Sequence, residues 1–215
     1  MADASSRLLF SCSARRSTKP VEARPIFERL FRAYGLPDAM RTDHGAPCAT
    51  PAFCGLRKLS VWWIKLGIRQ QRLEPGRPEQ KGRHERRHRP LKAAATRPPE
   101  PHQRAQQARF DGCCREDTEE RPHEALNCRT PASLYRPSAR PRPAKRPAPA
   151  SPGHDLVRRV SHAGTLRFQT RPLFLRDTRL QEDIALEETA DGLWSISFYD
   201  VLLARLEARD FKLHA

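Results

Sequence analysis

Apolar residues recur at helical spacing through much of the first half of the chain and alternate with polar residues near its C-terminus. From Pro20 to Gly35 they return every three or four positions, which predicts an amphipathic helix that Gly35 ends. The same spacing predicts a helix opened by Pro51, with Leu56, Leu59, Trp62, Trp63 and Leu66 facing inward. A further helix is predicted over residues 103–120, and strands at residues 8–12, 40–43 and 68–73. Helices that alternate with strands are typical of an α/β domain.

The C-terminal part predicts a different architecture. Gly164 and the pair Asp191-Gly192 are turn signals between short apolar runs. Six strands are predicted, at residues 156–160, 165–168, 173–175, 184–188, 193–198 and 201–206. We therefore expect a small all-β barrel domain over residues 153–215. A stretch rich in Pro, Ala, Arg and Lys, residues 136–152, precedes it and predicts a semi-rigid linker.

Composition adds a partner class. The 215 residues include 40 Lys and Arg against 25 Asp and Glu, a net charge of +15. Such a charge favours nucleic acid as the partner, and a solvated basic surface is the alternative. The chain has neither an apolar run of membrane-spanning length nor the long apolar core of a signal peptide, so we expect no membrane partner and a cytoplasmic location. The six Cys form no C-x-x-C pair, which in a reducing compartment predicts free thiols.

Three sequence blocks carry more specific chemistry. They are RTDHG at residues 41–45, PGRPEQKGRHERRHRPLK at 75–92 and RPHEALNCRTPASLY at 121–135. In this order they resemble the catalytic core of DDE transposases and retroviral-type integrases, in particular bacterial insertion-sequence transposases. The resemblance implies an incomplete ribonuclease H-like integrase core over residues 1–135. The first strand of that core, with the family's first catalytic Asp, would be encoded upstream of Met1, and Asp3 would be a structural residue.

The resemblance also implies a reaction and its residues. Asp43 and Glu85 would be the catalytic carboxylates that hold Mg²⁺ or Mn²⁺, because phosphoryl transfer on DNA uses divalent ions held by convergent carboxylates. Arg83, Arg87 and Lys92 would contact DNA phosphates, and copies of the chain would assemble as a homo-oligomer on DNA ends. Arg121 and His123 are expected near DNA as well. With the first Asp missing, we expect a truncated, inactive member of a family that cuts and joins DNA strands.

Two alternatives stay open. One is a non-catalytic nucleic-acid-binding remnant, which the missing Asp favours. The other is a zinc metalloprotease, because His84-Glu85-Arg86-Arg87-His88 matches H-E-x-x-H. The surrounding arginines would repel a dication, and Pro90 opposes a helix that would have to continue past His88.

Overall fold

The computed structural model describes residues 1–13, 20–42, 58–72, 93, 95–144, 156–175 and 181–214. These form a mixed α/β structure with a five-stranded antiparallel sheet. The chain divides into two compact units. Unit 1 contains the described residues of Met1–Thr18, Ile26–Gly35 and Leu73–Ala139, and unit 2 those of Lys19–Pro25, Leu36–Arg72 and Arg140–Ala215.

The first predicted helix is confirmed as α1, Pro20–Tyr34. Its apolar stripe buries Leu30 and Phe31. Gly35 takes a φ of 78°, a left-handed conformation that glycine adopts without steric cost, and its N–H donates to the Phe31 carbonyl at 3.1 Å. This bond ends the helix where the sequence predicted.

A β–α–β unit follows in unit 2. Strand β1, Ala39–Thr42, pairs in parallel with β2, Arg69–Arg72, and the described part of the connection contains helix α2, Lys58–Lys65. A tight turn reverses the chain direction and so joins antiparallel strands. Parallel neighbours therefore need a longer crossover connection, such as a helix. Of the inward residues predicted for this helix, Leu59, Trp62, Trp63 and Leu66 are buried, and Leu56 lies outside the described residues. Val61 and Ile64 are buried as well and pack against the apolar core of the C-terminal sheet. Helix α2 is therefore covered on more than the one predicted face.

The predicted helix over residues 103–120 is also confirmed in unit 1. Helix α3, Gln103–Arg115, continues into a π-helical turn, Glu116–Glu120. The His102 imidazole Nδ1 caps its N-terminus by accepting from the Ala105 N–H at 3.0 Å. A short 3₁₀ turn, Glu124–Leu126, and helix α4, Pro131–Leu134, complete the described helical elements of this region.

The strand predicted at residues 8–12 is wrong. Only Leu9 takes part in β pairing, in an isolated antiparallel bridge with Ala2. The Leu9 N–H donates to the Thr118 hydroxyl at 3.4 Å, and the Phe10 ring packs against the rings of Tyr34 and Tyr135. These apolar residues are packed by side chains of unit 1, so their hydrophobicity does not require a sheet.

The C-terminal strands lie where alternation predicted them, with one addition. The sheet has the order β3-β6-β7-β8-β9, and β4 pairs with β5 as a separate hairpin. Phe168 of this hairpin and Leu186, Ile196 and Leu206 of the sheet are buried in one apolar core. The seven strands are β3 Leu156–Arg159, β4 Thr165–Phe168, β5 Arg171–Phe174, β6 Asp183–Ala190, β7 Leu193–Phe198, β8 Val201–Glu207 and β9 Lys212–His214. Strand β9 was missed because its three residues contain one apolar side chain, too few to show a period.

Candidate functional site

The two parallel strands of unit 2 end at the same edge. Thr42, the last residue of β1, pairs with Arg72, the last residue of β2. The carboxyl ends of parallel strands are the usual position for ligand-binding residues in open α/β sheets. In sequence, Asp43 follows Thr42 directly, and the block that contains Glu85 begins shortly after Arg72. The described strands therefore end together at one sheet edge, and the residues that follow each of them lie outside the described ranges.

Buried side chains hold this pair of strands in place. Met40 in β1 and Ile68 just before β2 are both buried, and the Gln70 side-chain amide donates to the Ser60 carbonyl of α2 at 2.8 Å. Ser60 itself is fully buried in the helix. The crossover helix is thus bonded to the second strand as well as packed beneath it.

Arg140 joins the starts of β1 and β2. Its guanidinium donates to the Pro37 carbonyl at 3.2 Å, to the Asp38 carboxylate at 3.1 Å, and to the carbonyls of Leu66 and Gly67 at 3.2 and 3.0 Å. The Arg140 carbonyl accepts from the Leu36 N–H at 2.8 Å. No local sequence pattern predicts this role, because Arg140 lies in the predicted linker and its partners are distant along the chain.

The predicted site residues fall mostly outside the described residues. Those outside are Asp43, Arg83, Glu85, Arg87 and Lys92, together with His84 and His88 of the zinc alternative. Within the ranges that the structure describes, no group of three or more His, Cys, Asp or Glu could hold a metal ion. The assignments of the catalytic carboxylates, the phosphate-binding residues and Mg²⁺ or Mn²⁺ stay predictions.

Arg121 and His123 are described, and the contacts of His123 are internal to unit 1. The His123 N–H donates to the Arg129 carbonyl at 3.0 Å. Its imidazole Nε2 lies 3.2 Å from the Asp117 carbonyl and 3.7 Å from the Asp117 carboxylate. The His123 side chain is 16% exposed, whereas Arg121 is exposed. His123 therefore joins the π-helical turn to the segment beyond it, and Arg121 is the residue of this pair that solvent reaches.

Asp3 has a local structural role. One oxygen of its carboxylate accepts from the N–H groups of Ser5 and Ser6 at 3.1 and 2.7 Å and from the Ser6 hydroxyl at 2.8 Å. An Asp that bonds to the backbone two and three residues onward stabilises a turn. This agrees with the structural role that the resemblance implies for Asp3.

The arginines of the C-terminal sheet make local contacts. Arg158 donates to the carbonyl of Val157 at 3.0 Å, Arg159 lies 3.9 Å from the Asp183 carboxylate, and the Arg171 guanidinium lies 5.0 Å from the centre of the Phe211 ring. The exposed ion pair between Arg159 and Asp183 contributes little to stability.

No helix in the described part of the chain is long and apolar enough to cross a membrane.

Comparison with known proteins gives a fold likeness. No protein-family model matches the sequence. A chain of the cryo-EM structure of the simian T-cell lymphotropic virus intasome in complex with PP2A regulatory subunit B56 gamma is similar over 94% of this chain and 69% of that chain, with a TM-score of 0.51 and 18% sequence identity. The likeness is one of fold. It gives coarse support to an integrase-like architecture.

Proposed function

We propose that this chain is a transposase- or integrase-type protein of DNA integration and recombination, built from a ribonuclease H-like core and a small C-terminal barrel. The parallel, in-register pairing of β1 with β2 carries the proposal. The described strands end together at Thr42 and Arg72, and in sequence Asp43 follows the first strand while the block with Glu85 follows the second. The fold likeness to a chain of a retroviral intasome structure supports the same assignment.

In this proposal the carboxylates of Asp43 and Glu85 hold Mg²⁺ or Mn²⁺ near the scissile phosphate. The bound ions would supply Lewis-acid activation of the attacking oxygen and stabilisation of the leaving oxygen. Arg83, Arg87 and Lys92 neutralise neighbouring phosphates. The net charge of +15 supplies the general attraction for the DNA backbone, which salt weakens as counterions compete.

A strand-transfer assay with Mg²⁺ or Mn²⁺ tests the catalytic part. We expect Asp43→Asn and Glu85→Gln to abolish any joining of a labelled DNA end to a target duplex, because a neutral amide binds a divalent ion poorly. Duplex binding, measured in the same samples, should persist in both variants and fall steeply as salt rises. Asp38→Asn is the matched control, because Asp38 lies just before the opposite end of β1 and its side chain is 77% exposed.

Two results of these experiments would contradict the proposal. Joining that survives in both Asp43→Asn and Glu85→Gln would contradict the assigned carboxylates. Duplex binding that does not respond to salt would contradict the electrostatic argument for DNA as the partner.

A second candidate is a nucleic-acid-binding protein without strand-transfer activity. The observation that favours it is Asp3, whose carboxylate oxygen already accepts three hydrogen bonds within its own turn. Asp3 is thus poorly suited to act as the third carboxylate of the family's triad. Salt-dependent duplex binding with no joining in the unmodified chain, under either metal, would support this candidate.

A further inference from the structure

Two thiols that are distant in sequence meet in unit 1. Cys12 lies in the N-terminal segment and Cys114 near the end of helix α3, and their side chains hydrogen-bond to each other. Both residues are half-buried. A second contact fixes the same approach, because the Gln107 side-chain amide donates to the Cys12 carbonyl at 3.0 Å. Gln107 and Cys114 are seven residues apart, so they lie on one face of α3.

Contacts on either side keep the N-terminal segment against this helical region. The Leu9 N–H bonds to the Thr118 hydroxyl at 3.4 Å, and the Phe10 ring centre lies 4.8 Å from that of Tyr34. The segment has no strand to hold it beyond the isolated bridge of Leu9. A covalent bond between the two sulfurs would add a tether to these non-covalent contacts.

The contact between the thiols shifts the pKa values of the two cysteines in opposite directions. The hydrogen bond from the Cys114 thiol stabilises the thiolate of Cys12 and lowers its pKa to about 7. The same bond raises the pKa of Cys114, because Cys114 retains the shared proton. A thiolate that is populated near neutral pH and paired with a second thiol is the arrangement that favours disulfide chemistry.

A small reactant can reach Cys114 through an open cavity of about 290 Å³, which is lined by Cys114 together with Leu8, Leu9, Tyr34 and Tyr135. A peroxide is far smaller than this volume. Cys12 does not line the cavity, but it is only half-buried and so keeps part of its own surface in solvent.

We propose that Cys12 and Cys114 form a thiol modification site, which a peroxide oxidises to a reversible disulfide that ties the N-terminal segment to helix α3. The inference does not depend on the proposed DNA chemistry. It rests on the meeting of two thiols, a bridging glutamine and an open cavity within unit 1.

The step balances with peroxide as the oxidant. The Cys12 thiolate attacks one peroxide oxygen, the O–O bond breaks, and Cys12 becomes a sulfenic acid as hydroxide leaves and takes up a proton to form water. Once Cys12 is no longer a thiolate, the largest cause of the raised pKa of Cys114 is removed, and burial remains as the second. The Cys114 sulfur then attacks the sulfenic sulfur, the S–S bond forms, and the S–O bond breaks. The departing hydroxide takes the Cys114 proton as a second water, so two thiols lose two electrons and one peroxide gains them.

Peptide mapping tests the proposal directly. The full chain is reduced, freed of reductant, treated with stoichiometric hydrogen peroxide, alkylated and digested without reductant. We expect a cross-link between the peptides that carry Cys12 and Cys114, two fewer alkylated thiols per chain, and recovery of both thiols with dithiothreitol. Cys12→Ser and Cys114→Ser should each lose the cross-link, and in Cys114→Ser a sulfenic-acid reagent should label Cys12.

Cys113→Ser is the matched control. Cys113 precedes Cys114 on α3 and is also half-buried, so this variant should keep the cross-link. A cross-link that disappears in Cys113→Ser but persists in Cys114→Ser would overturn the assignment. So would the absence of any cross-link at Cys12 in unmodified chain that circular dichroism shows to be folded.

The rate of Cys12 alkylation by iodoacetamide against pH gives a second readout on the unmodified chain. The charged groups that act on Cys12 besides Cys114 are the ammonium group of Met1 and the carboxylate of Asp111. We expect a midpoint near the lowered pKa of about 7, moving towards the ordinary value of 9.0 in Cys114→Ala, which has no donor at this position. The same midpoint near 9.0 in both proteins would contradict the pairing.

Discussion

The C-terminal sheet and helix α3 are both regular structures, and they are held by different forces. In the sheet, Leu186, Ile196 and Leu206 lose all exposure to solvent. Helix α3 contains no buried residue. Its side chains instead bond to nearby backbone. Gln106 donates to the Ala95 carbonyl, and Arg109 donates to the carbonyls of Arg97 and Pro98 at 3.1 and 2.8 Å.

The difference shows that a sequence pattern can predict where an element lies without indicating which interactions stabilise it or how much they contribute. Burial of a large apolar side chain contributes about 1.5–3 kcal/mol, whereas a net hydrogen bond contributes about 0.5–1.5 kcal/mol. Substitutions in the sheet should therefore act through packing, and substitutions in α3 through local conformational preference. Three predictions test this contrast.

The largest effect is expected in the core of the sheet. Leu206→Ala should destabilise unit 2 by about 2–5 kcal/mol, because it removes buried methyl groups and leaves a cavity. Leu202→Ala is the same change on the same strand, at a side chain that is 53% exposed, and should cost about 0.5 kcal/mol or less. Denaturant unfolding followed by tryptophan fluorescence measures both, since Trp194 pairs with Leu206 across the sheet. Equal losses in the two variants would contradict the packing argument.

An intermediate loss of stability is expected at Arg140, which is held by hydrogen bonds and lies in the same unit as the sheet. Arg140→Ala should destabilise unit 2 by about 1–2 kcal/mol, because the carbonyls of Pro37, Leu66 and Gly67 lose a donor and Arg140 is only partly exposed. Arg140→Lys should restore only part of the loss, since an ammonium group cannot reproduce the planar fork. Arg136→Ala, an exposed arginine nearby in sequence, is the control and should be close to neutral. Full rescue by lysine would show that charge alone matters.

Much of this fold could be predicted from the sequence, because the residues that determine each helix or strand lie within that element. The Gly35 stop, the strands around Met40 and Gln70, and the alternating C-terminal strands all follow from neighbours within one element. Arg140 and the Cys12–Cys114 pair could not be predicted, because their partners are far away in sequence and chain folding alone brings them together. For the site, the motifs led to Asp43 and Glu85, which lie outside the described residues, and the described strands show only that β1 and β2 end together at Thr42 and Arg72.

The smallest effect is expected in helix α3, where a substitution should raise the stability instead of lowering it. Gly112 lies inside α3, and a Cβ added there would meet no atom within 4 Å. Gly112→Ala should therefore stabilise unit 1 by up to about 1 kcal/mol, because alanine loses less backbone freedom in a helix and no packing has to change. Thermal unfolding followed by circular dichroism at the helical band should show a higher midpoint.

Gly192 provides the matched control for that substitution. A Cβ there also meets nothing within 4 Å, but Gly192 has a φ of +73° in the turn between β6 and β7. Gly192→Ala should destabilise unit 2 by about 1–2 kcal/mol, since a left-handed backbone is unfavourable for a residue with a Cβ. The two glycines thus share open space and differ in backbone conformation, so opposite signs are expected from one chemical change. A loss of stability in Gly112→Ala would mean that α3 depends on contacts of its exposed face, and the division between a packed sheet and a helix held by local bonds would then be wrong.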